Sequence, residues 1–340
     1  MKKLIVLATL TLLLELSGLV ILNNFIFVNS SEFKSNKMEL KKDISKDIKA
    51  TIKNEESDIN LSYKGRYLTY YKEDKLYIQD SKTGKERKIE TEDDEKIMYY
   101  RWLDKRDLIA IVEKVKKSGE DKLQLITYNP INDSKTSVQE ICSYEKNMKV
   151  NNMTLSVLTN VYYIDVDKGG LKNTVYRIDI NNDIKKVNIK ADILGNMQVI
   201  PHEDRLIYED KATDKFFITS PNKQLIFNSN KKLTLLSIDR NDVIYIGELD
   251  GDKIVGIVYG KISEDTSSWK KIKFDSYVGT KNLYFNEKSE ILINDNLKGS
   301  VKNLTTGNET EYEGKFIQIK EDFIATINND GKLFYKALNK

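Results

Sequence analysis

Beyond residue 50 the chain alternates short runs of β-favouring residues with polar turns, and no segment there keeps a helical period convincingly. Tyr67–Tyr71 and Lys75–Gln79 form one strand pair about a turn. The pattern returns at Leu108–Val112 with Leu123–Tyr128, Val161–Val166 with Thr174–Ile180, and Arg205–Tyr208 with Lys215–Thr219. It returns again at Val243–Gly247 with Lys253–Tyr259, Glu290–Ile293 with Gly299–Leu304, and Phe323–Ile327 with Lys332–Lys336. From the first pair to the last the spacing averages about 43 residues, the period of a four-stranded propeller blade.

The flanks of each pair complete the blade. A short apolar strand and a polar turn precede it, as in Leu61–Arg66, Trp102–Arg106 and Ile200–Arg205. A further strand follows, as in Arg87–Glu90, Lys223–Phe227 and Lys270–Phe274. One such sheet cannot cover both of its faces, so neighbours must stack and the array must close. That accounts for strands that mix apolar and polar residues instead of alternating cleanly. The last unit shows three strands, and Ile48–Lys53 is expected to supply the fourth, leaving no open sheet edge at the seam. The predicted fold class is all-β, a β-propeller of seven four-stranded blades over residues 48–340, with six or eight as alternatives.

The amino end reads differently. Lys2 and Lys3 precede an apolar run from Leu4 to Leu22, interrupted by Glu15 and continued in Phe25–Val28. Nineteen helical residues cover about 28 Å, close to a bilayer core. The run exceeds the roughly 7–15 residues of a signal-peptide core, so residues 1–28 are expected to be a retained signal anchor rather than a cleaved signal. Lys34, Lys37, Lys41, Lys42 and Lys46 crowd the far flank, and by positive-charge count would hold the large domain in the cytoplasm. The basic start followed at once by an apolar run is the layout of an export signal, and on that ground the domain is expected outside the cytoplasm. Residues 29–47 are expected to be a polar tether, with Leu40, Ile44 and Ile48 spaced for a short amphipathic helix.

Composition narrows the function. Lys+Arg stand at 55 against 52 Asp+Glu, and the lysine clusters are short and interleaved with acids. That balance lacks the concentrated basic face that nucleic-acid binding draws on, so no nucleic-acid partner is expected. Cys142 is the one cysteine, so packing must hold the fold without an intramolecular disulfide. The weight of Lys, Asn and Ile is that of proteins from AT-rich bacteria.

The unit Leu61-Ser62-Tyr63-Lys64-Gly65-Arg66-Tyr67-Leu68-Thr69-Tyr70 resembles the strand–turn–strand repeat W-S-P-D-G-K-x-I-A-F. Trp102-Leu103-Asp104-Lys105-Arg106 with Leu108-Ile109-Ala110 matches it as well, and Tyr77–Asp80 with Thr83-Gly84-Lys85 resembles the hairpin L-Y-x-x-D-x-x-T-G-K. These motifs mark the TolB-like and dipeptidyl-peptidase-type WD40-like propellers. The resemblance implies a propeller, here without a catalytic domain. It does not imply one function, because such propellers serve as peptidase appendages, adaptors and binders alike.

Candidate chemistry is sparse. His202 is the one histidine and lies in a polar turn; no G-x-S-x-G elbow accompanies it. No cofactor and no metal site are expected. Asp165-Val166-Asp167-Lys168-Gly169-Gly170 starts like a calcium loop, but position twelve is Tyr176, so it reads as a hairpin turn. Three residues are singled out as partner contacts: Glu15, a carboxylate within the apolar run; Arg101, as a channel-facing side chain; and Trp102, beside it, which could instead pack between blades. The expected function is a membrane-anchored, monomeric, extracytoplasmic binding or scaffolding propeller for an envelope or membrane protein, a peptide or a glycan. Two alternatives stand beside it: a propeller-hosted lyase or glycosidase using funnel carboxylates, and a sensor that meets a membrane partner through Glu15.

Overall fold

The strand pairs form antiparallel hairpins whose tight turns are set by local chemistry. In the first, Lys72 pairs with Lys75 and the two turn residues Glu73 and Asp74 take φ of 50° and 58°. That double left-handed conformation matches the right-handed twist of the flanking strands. In the computed structural model the described residues are 2–21, 48–53, 56–91, 96–170 and 173–339.

Residues Ile44–Lys340 form one compact unit and Met1–Asp43 another. In the larger unit, six sheets have four strands in chain order, each strand pairing antiparallel with the next, and a seventh sheet has three. Blade 1 comprises Ser57–Leu61, Tyr67–Lys72, Lys75–Asp80 and Glu86–Lys88. Blade 2 comprises Ile97–Trp102, Ile109–Lys117, Glu120–Asn129 and Ser134–Ser143. Blade 3 comprises Lys149–Ser156, Val161–Asp167, Thr174–Ile178 and Ile184–Lys186. Blade 4 comprises Leu194–Val199, Leu206–Asp210, Lys215–Ile218 and Lys223–Leu225. Blade 5 comprises Lys232–Ile238, Ile244–Asp250, Lys253–Gly260 and Lys270–Gly279. Blade 6 comprises Leu283–Phe285, Ile291–Asp295, Ser300–Asn303 and Glu309–Glu311. Blade 7 comprises Lys315–Lys320, Phe323–Ile327 and Leu333–Ala337. The first strand of each blade is the inner one, and these strands neighbour one another around the axis.

The core is divided as a stacked ring requires, with one apolar cluster at each interface between blades. Ile78 and Leu76 of blade 1 meet Trp102 and Ile109 of blade 2; Leu123 and Leu125 of blade 2 meet Met153 and Ile164 of blade 3. Corresponding clusters join blades 3 and 4, 4 and 5, 5 and 6, and 6 and 7. Second strands are therefore covered on both faces: Leu206–Asp210 and Phe323–Ile327 are buried at every position.

Ring closure follows the expected seam. Thr51 bridges Lys332 antiparallel, Ile52 N donates to Gly331 O at 2.7 Å, and Leu333 N donates to Ala50 O at 3.1 Å. Lys49 N and Ala50 N both donate to Ser81 O in blade 1. Ile48, Ala50 and Ile52 are buried with Leu61, Leu68, Phe323 and Leu333, so the segment before blade 1 joins it to blade 7.

The smaller unit contains one described helix, Lys2–Ile21. Among the described residues no helix is long and apolar enough to cross a membrane. The spanning anchor expected over residues 1–28 is thus not supported; the helix carries Lys2, Lys3 and Glu15, and the apolar continuation toward Val28 falls outside the described residues. The tether over residues 29–47 lies outside them too.

Candidate functional site

Each inner strand ends in a turn into the second strand, and these turns gather at one end of the axis. Most of their polar side chains are used to shape the backbone. Asp239 Oδ1 accepts from Asn241 N at 2.8 Å and Val243 N at 3.0 Å, and its Oδ2 accepts from the Tyr245 hydroxyl at 2.7 Å. Asn286 Oδ1 accepts from the Lys288 and Glu290 amides, both at 3.0 Å. Ser156 Oγ accepts from Leu158 N and Thr159 N and donates to Pro201 O of the next blade at 2.6 Å. These groups satisfy turn amides that would otherwise be unpaired, which leaves them little capacity for a ligand.

The charged turn residues behave differently. Glu287 of blade 6 lies 2.7 Å from Lys105 Nζ of blade 2 and 3.3 Å from Arg240 Nη1 of blade 5. This pair of bridges ties the adjoining turns of blades 5 and 6 to the turn of blade 2 across the axis and narrows that mouth. Burial pushes the Glu287 carboxyl up, against the pull of Arg240.

Two cavities meet inside the ring. A narrower one of about 240 Å³ lies at the turn end, between Arg240, Gln198, Phe285 and Leu155. A wider one of about 590 Å³ lies among the inner strands of blades 1, 2 and 7, lined by Asp58, Asn60, Tyr99, Tyr100 and Gln318. Both are bordered by Arg101, Asp104 and Lys320. A cleft between blades 6 and 7 holds only about 30 Å³, little more than one water. Outer grooves of about 440 and 310 Å³ lie along the last strand of blade 5. The axial space is the candidate ligand site because side chains of several blades converge there, and its wider cavity falls within the usual range for small-molecule sites, about 300–1,000 Å³.

Its lining can be followed residue by residue. Arg101 projects from the inner strand of blade 2 and donates through Nη1 to Met153 O of blade 3 at 3.1 Å, so one arm of the guanidinium is anchored. Tyr100 is held by the amide of Asn60 at 3.1 Å and donates toward Asp58 O at 3.3 Å; burial raises its phenol. Its ring meets Tyr71 edge to face at 5.8 Å. Outside this lining, in the turn of blade 1, Tyr63 is pushed up to about 12, first by burial and then by Glu321 and Glu287. The Lys320 ammonium is pushed down, chiefly by loss of water around it; Asp104 opposes the shift and Arg101 adds to it. Lys320 keeps some solvent contact because it lines a channel, yet the ring surrounds it with protein.

The residues singled out from sequence fall in three places. Arg101 lines the axial space. Trp102 borders it but is buried at 6% exposure in the core between blades 1 and 2, and its indole N–H donates to Thr69 Oγ1 at 3.0 Å. Glu15 is exposed on the helix of the other unit. His202 is exposed in the turn of blade 4, with Nδ1 2.9 Å from Asp242 Oδ2 of blade 5. The Asp165–Gly170 segment is a strand end and turn, with Asp167 Oδ1 accepting from Gly169 N at 2.7 Å. Lys320, Asn60 and Gln318 were missed. Lys320 closes an inner strand in a place comparable to Arg101, and setting the repeats in register was the signal that could have found it.

Among the described residues no group of three or more His, Cys, Asp or Glu side chains lies together so as to hold a metal ion. No protein-family model and no curated protein matches the sequence. Solved structures do match in fold. A chain of a mitotic checkpoint complex superposes with a TM-score of 0.53 at 11% identity, over 92% of this chain and 100% of that one. An oligogalacturonate lyase in complex with manganese superposes with a TM-score of 0.56 at 9% identity, over 82% of this chain and 88% of that one. A prolyl endopeptidase gives 0.54 at 11% identity, over 84% of this chain but 43% of that one. At these identities the likeness shows the fold: the chain is a seven-bladed β-propeller, and the sequence resemblance to propeller repeats holds at that level.

Proposed function

We propose that the protein is an extracytoplasmic binding module, with a rigid ring presenting its axial channel to a ligand or partner of the cell envelope and the amino-terminal apolar segment serving for export. One observation carries this reading. The turn carboxylates and amides at the mouth, those of Asp239 and Asn286, are consumed in holding backbone, while Lys320 and one arm of Arg101 stand ready for an incoming group. That arrangement supports capture more than turnover. Neighbours in fold include a component of a multiprotein complex, which fits a binding role.

The test compares full-length protein with a Lys320→Glu variant, using envelope protein and glycan fractions as binding partners. Retained partner that vanishes with Lys320→Glu, at unchanged fold by circular dichroism, is the expected result. Partner binding indifferent to Lys320→Glu, and to an Arg101→Glu variant, removes the channel from the reading. Protease protection of the ring in intact cells removes the extracytoplasmic placement.

A further inference from the structure

The charge arrangement of the channel goes a step further, and the step rests on the binding reading above. Lys320 ends the inner strand of blade 7, and among the described residues no hydrogen bond or ion pair reaches its ammonium. A cation enclosed by protein with no hydrogen-bonded partner is costly even with the Asp104 carboxylate in the same cavity, and an anion brought in by a ligand offsets that cost. Arg101 borders the same space with only Nη1 committed, to Met153 O. Most other charges near the axis are spoken for, the exceptions being the Asp58 and Asp104 carboxylates, of which Asp104 favours the charged form of Lys320 from a distance. Glu287 holds Lys105 and Arg240, Asp239 holds turn amides, and Glu321 has its own partner.

The rest of the wider cavity limits which anion fits. Asp58 and Asp104 face it alongside Asn60 and Gln318. Two carboxylates repel a ligand with several negative charges, such as an acidic peptide stretch or a phosphate dianion. Asn60 Nδ2 already donates to Asp58 O and the Tyr100 hydroxyl, and Gln318 Oε1 accepts from Leu61 N, which leaves the Asp58 carboxylate and Asn60 Oδ1 to accept from hydroxyl groups and Gln318 Nε2 to donate to them. The wall is otherwise aromatic, Tyr71, Tyr99, Tyr100 and the edge of Trp102, with Met98 as the one aliphatic contributor. Aliphatic subsites lie on the turn side, at Leu155, Val157 and Leu158, while the strand-side cavity offers rings and polar groups that suit a hydroxyl-rich frame better than an aliphatic peptide. The set calls for one carboxylate on a hydroxyl-rich frame.

We propose that the axial channel takes a uronic-acid residue of an acidic glycan, its carboxylate between Lys320 and Arg101 and its hydroxyls on Asp58, Asn60 and Gln318. The wider cavity, about 590 Å³, admits a saccharide from the strand side, because the turn-side mouth is narrowed by the Lys105–Glu287–Arg240 bridges.

Calorimetry on the full-length protein tests this with three probes: a uronic-acid oligosaccharide, the matching neutral hexose oligosaccharide, and a poly-glutamate peptide. The acidic oligosaccharide is expected to bind about tenfold or more tighter than the neutral one. Lys320→Met is expected to weaken it roughly 10- to 100-fold, the loss that goes with removing a charge-assisted hydrogen bond. Arg101→Gln is expected to act in the same direction, and Lys320→Arg to restore part of the affinity. Thermal melting shows that each variant is folded. Equal binding of acidic and neutral sugars, no binding of either, or indifference to Lys320→Met overturns the proposal. Preference for the peptide, lost in Lys320→Met, ends the sugar assignment and leaves the binding module standing. Cleavage of the bound oligosaccharide keeps the site and ends the reading of binding without turnover.

Discussion

Closure of the ring rests on a few contacts, and Gly331 is where they can be tested one at a time. Gly331 sits at φ +79°, and a Cβ placed there would come 2.2 Å from Ile52 O, closer than real contacts allow. Gly331→Ala therefore has two costs. The left-handed backbone strains any residue with a Cβ by about 1–2 kcal/mol. The clash also drives the Ala50–Ile52 segment off blade 7, breaking Ile52 N to Gly331 O and Leu333 N to Ala50 O, about 1 kcal/mol each. Partial exposure of Ile52, now 4% exposed, adds about 1 kcal/mol more. The sum is about 4–5 kcal/mol. Gly119→Ala is the control, because Gly119 has φ +83° with nothing within 4 Å of its Cβ position, so it pays for strain alone. The difference, about 3 kcal/mol, corresponds to a melting temperature lower by roughly 4 °C for a chain of this size. Melting followed by circular dichroism reads this directly, and proteolysis near residues 48–56 should accelerate in Gly331→Ala alone. Equal shifts for the two variants would refute the argument that this seam holds the ring shut.

Three further outcomes follow from particular side chains. Asp165 is 3% exposed and its carboxyl is pushed up to about 6 by burial, so the folded protein holds that proton more tightly than the unfolded chain does. Stability should fall as pH rises from about 4 to 6 by an amount on the order of 2–3 kcal/mol, and Asp165→Asn should remove that slope from a plot of melting temperature against pH. Lys320 is shifted the other way, downward by burial, so its contribution to stability rises as pH climbs from its lowered folded value toward the ordinary lysine range. Lys320→Met should melt no lower than the parent at pH 7, and a clear loss of melting temperature would show that the ammonium is paired after all. Trp102→Phe removes the bond to Thr69 and should cost about 1–2 kcal/mol in denaturant unfolding.

The strands were legible because their signal is local. Pairs such as Val161–Val166 with Thr174–Ile180 need only β-rich residues and a polar turn, and the observed strands Val161–Asp167 and Thr174–Ile178 nearly coincide with them. The seam was legible as well, since a last unit one strand short has to find a fourth. Interface cores were foreseen only in kind: that Trp102 would pack against Thr69 and Ile78 depends on how one blade leans on the next. The channel lining was the least visible part. Inner strands are short, Leu283–Phe285 being three residues, and several carry register shifts, as between Ile97 and Tyr99 in blade 2. Each shift moves side chains to the other face, so parity counted along the sequence does not say which residue looks at the axis. Arg101 was found through its neighbour Trp102, and Lys320, with no such marker beside it, was not.

A ring built from repeats is symmetric where it must be stable and can bind selectively only where the symmetry fails. Every blade brings an inner strand and a turn to the axis, so equivalent positions compete for the same space. Blades 3 and 4 fill theirs with Leu155, Val157, Leu158 and Pro201, while blades 1, 2 and 7 supply Asp58, Asn60, Arg101, Asp104, Gln318 and Lys320. The channel thus has an apolar wall facing a polar, charged one, and the larger cavity lies on the polar side. Stability places no such demand, since interface clusters of similar make-up hold all seven junctions. The side chains that depart from their counterparts in the other blades are accordingly the ones on which recognition should depend, and exchanging Lys320 or Arg101 for an apolar residue of the kind found in blade 3 should abolish binding while sparing the ring.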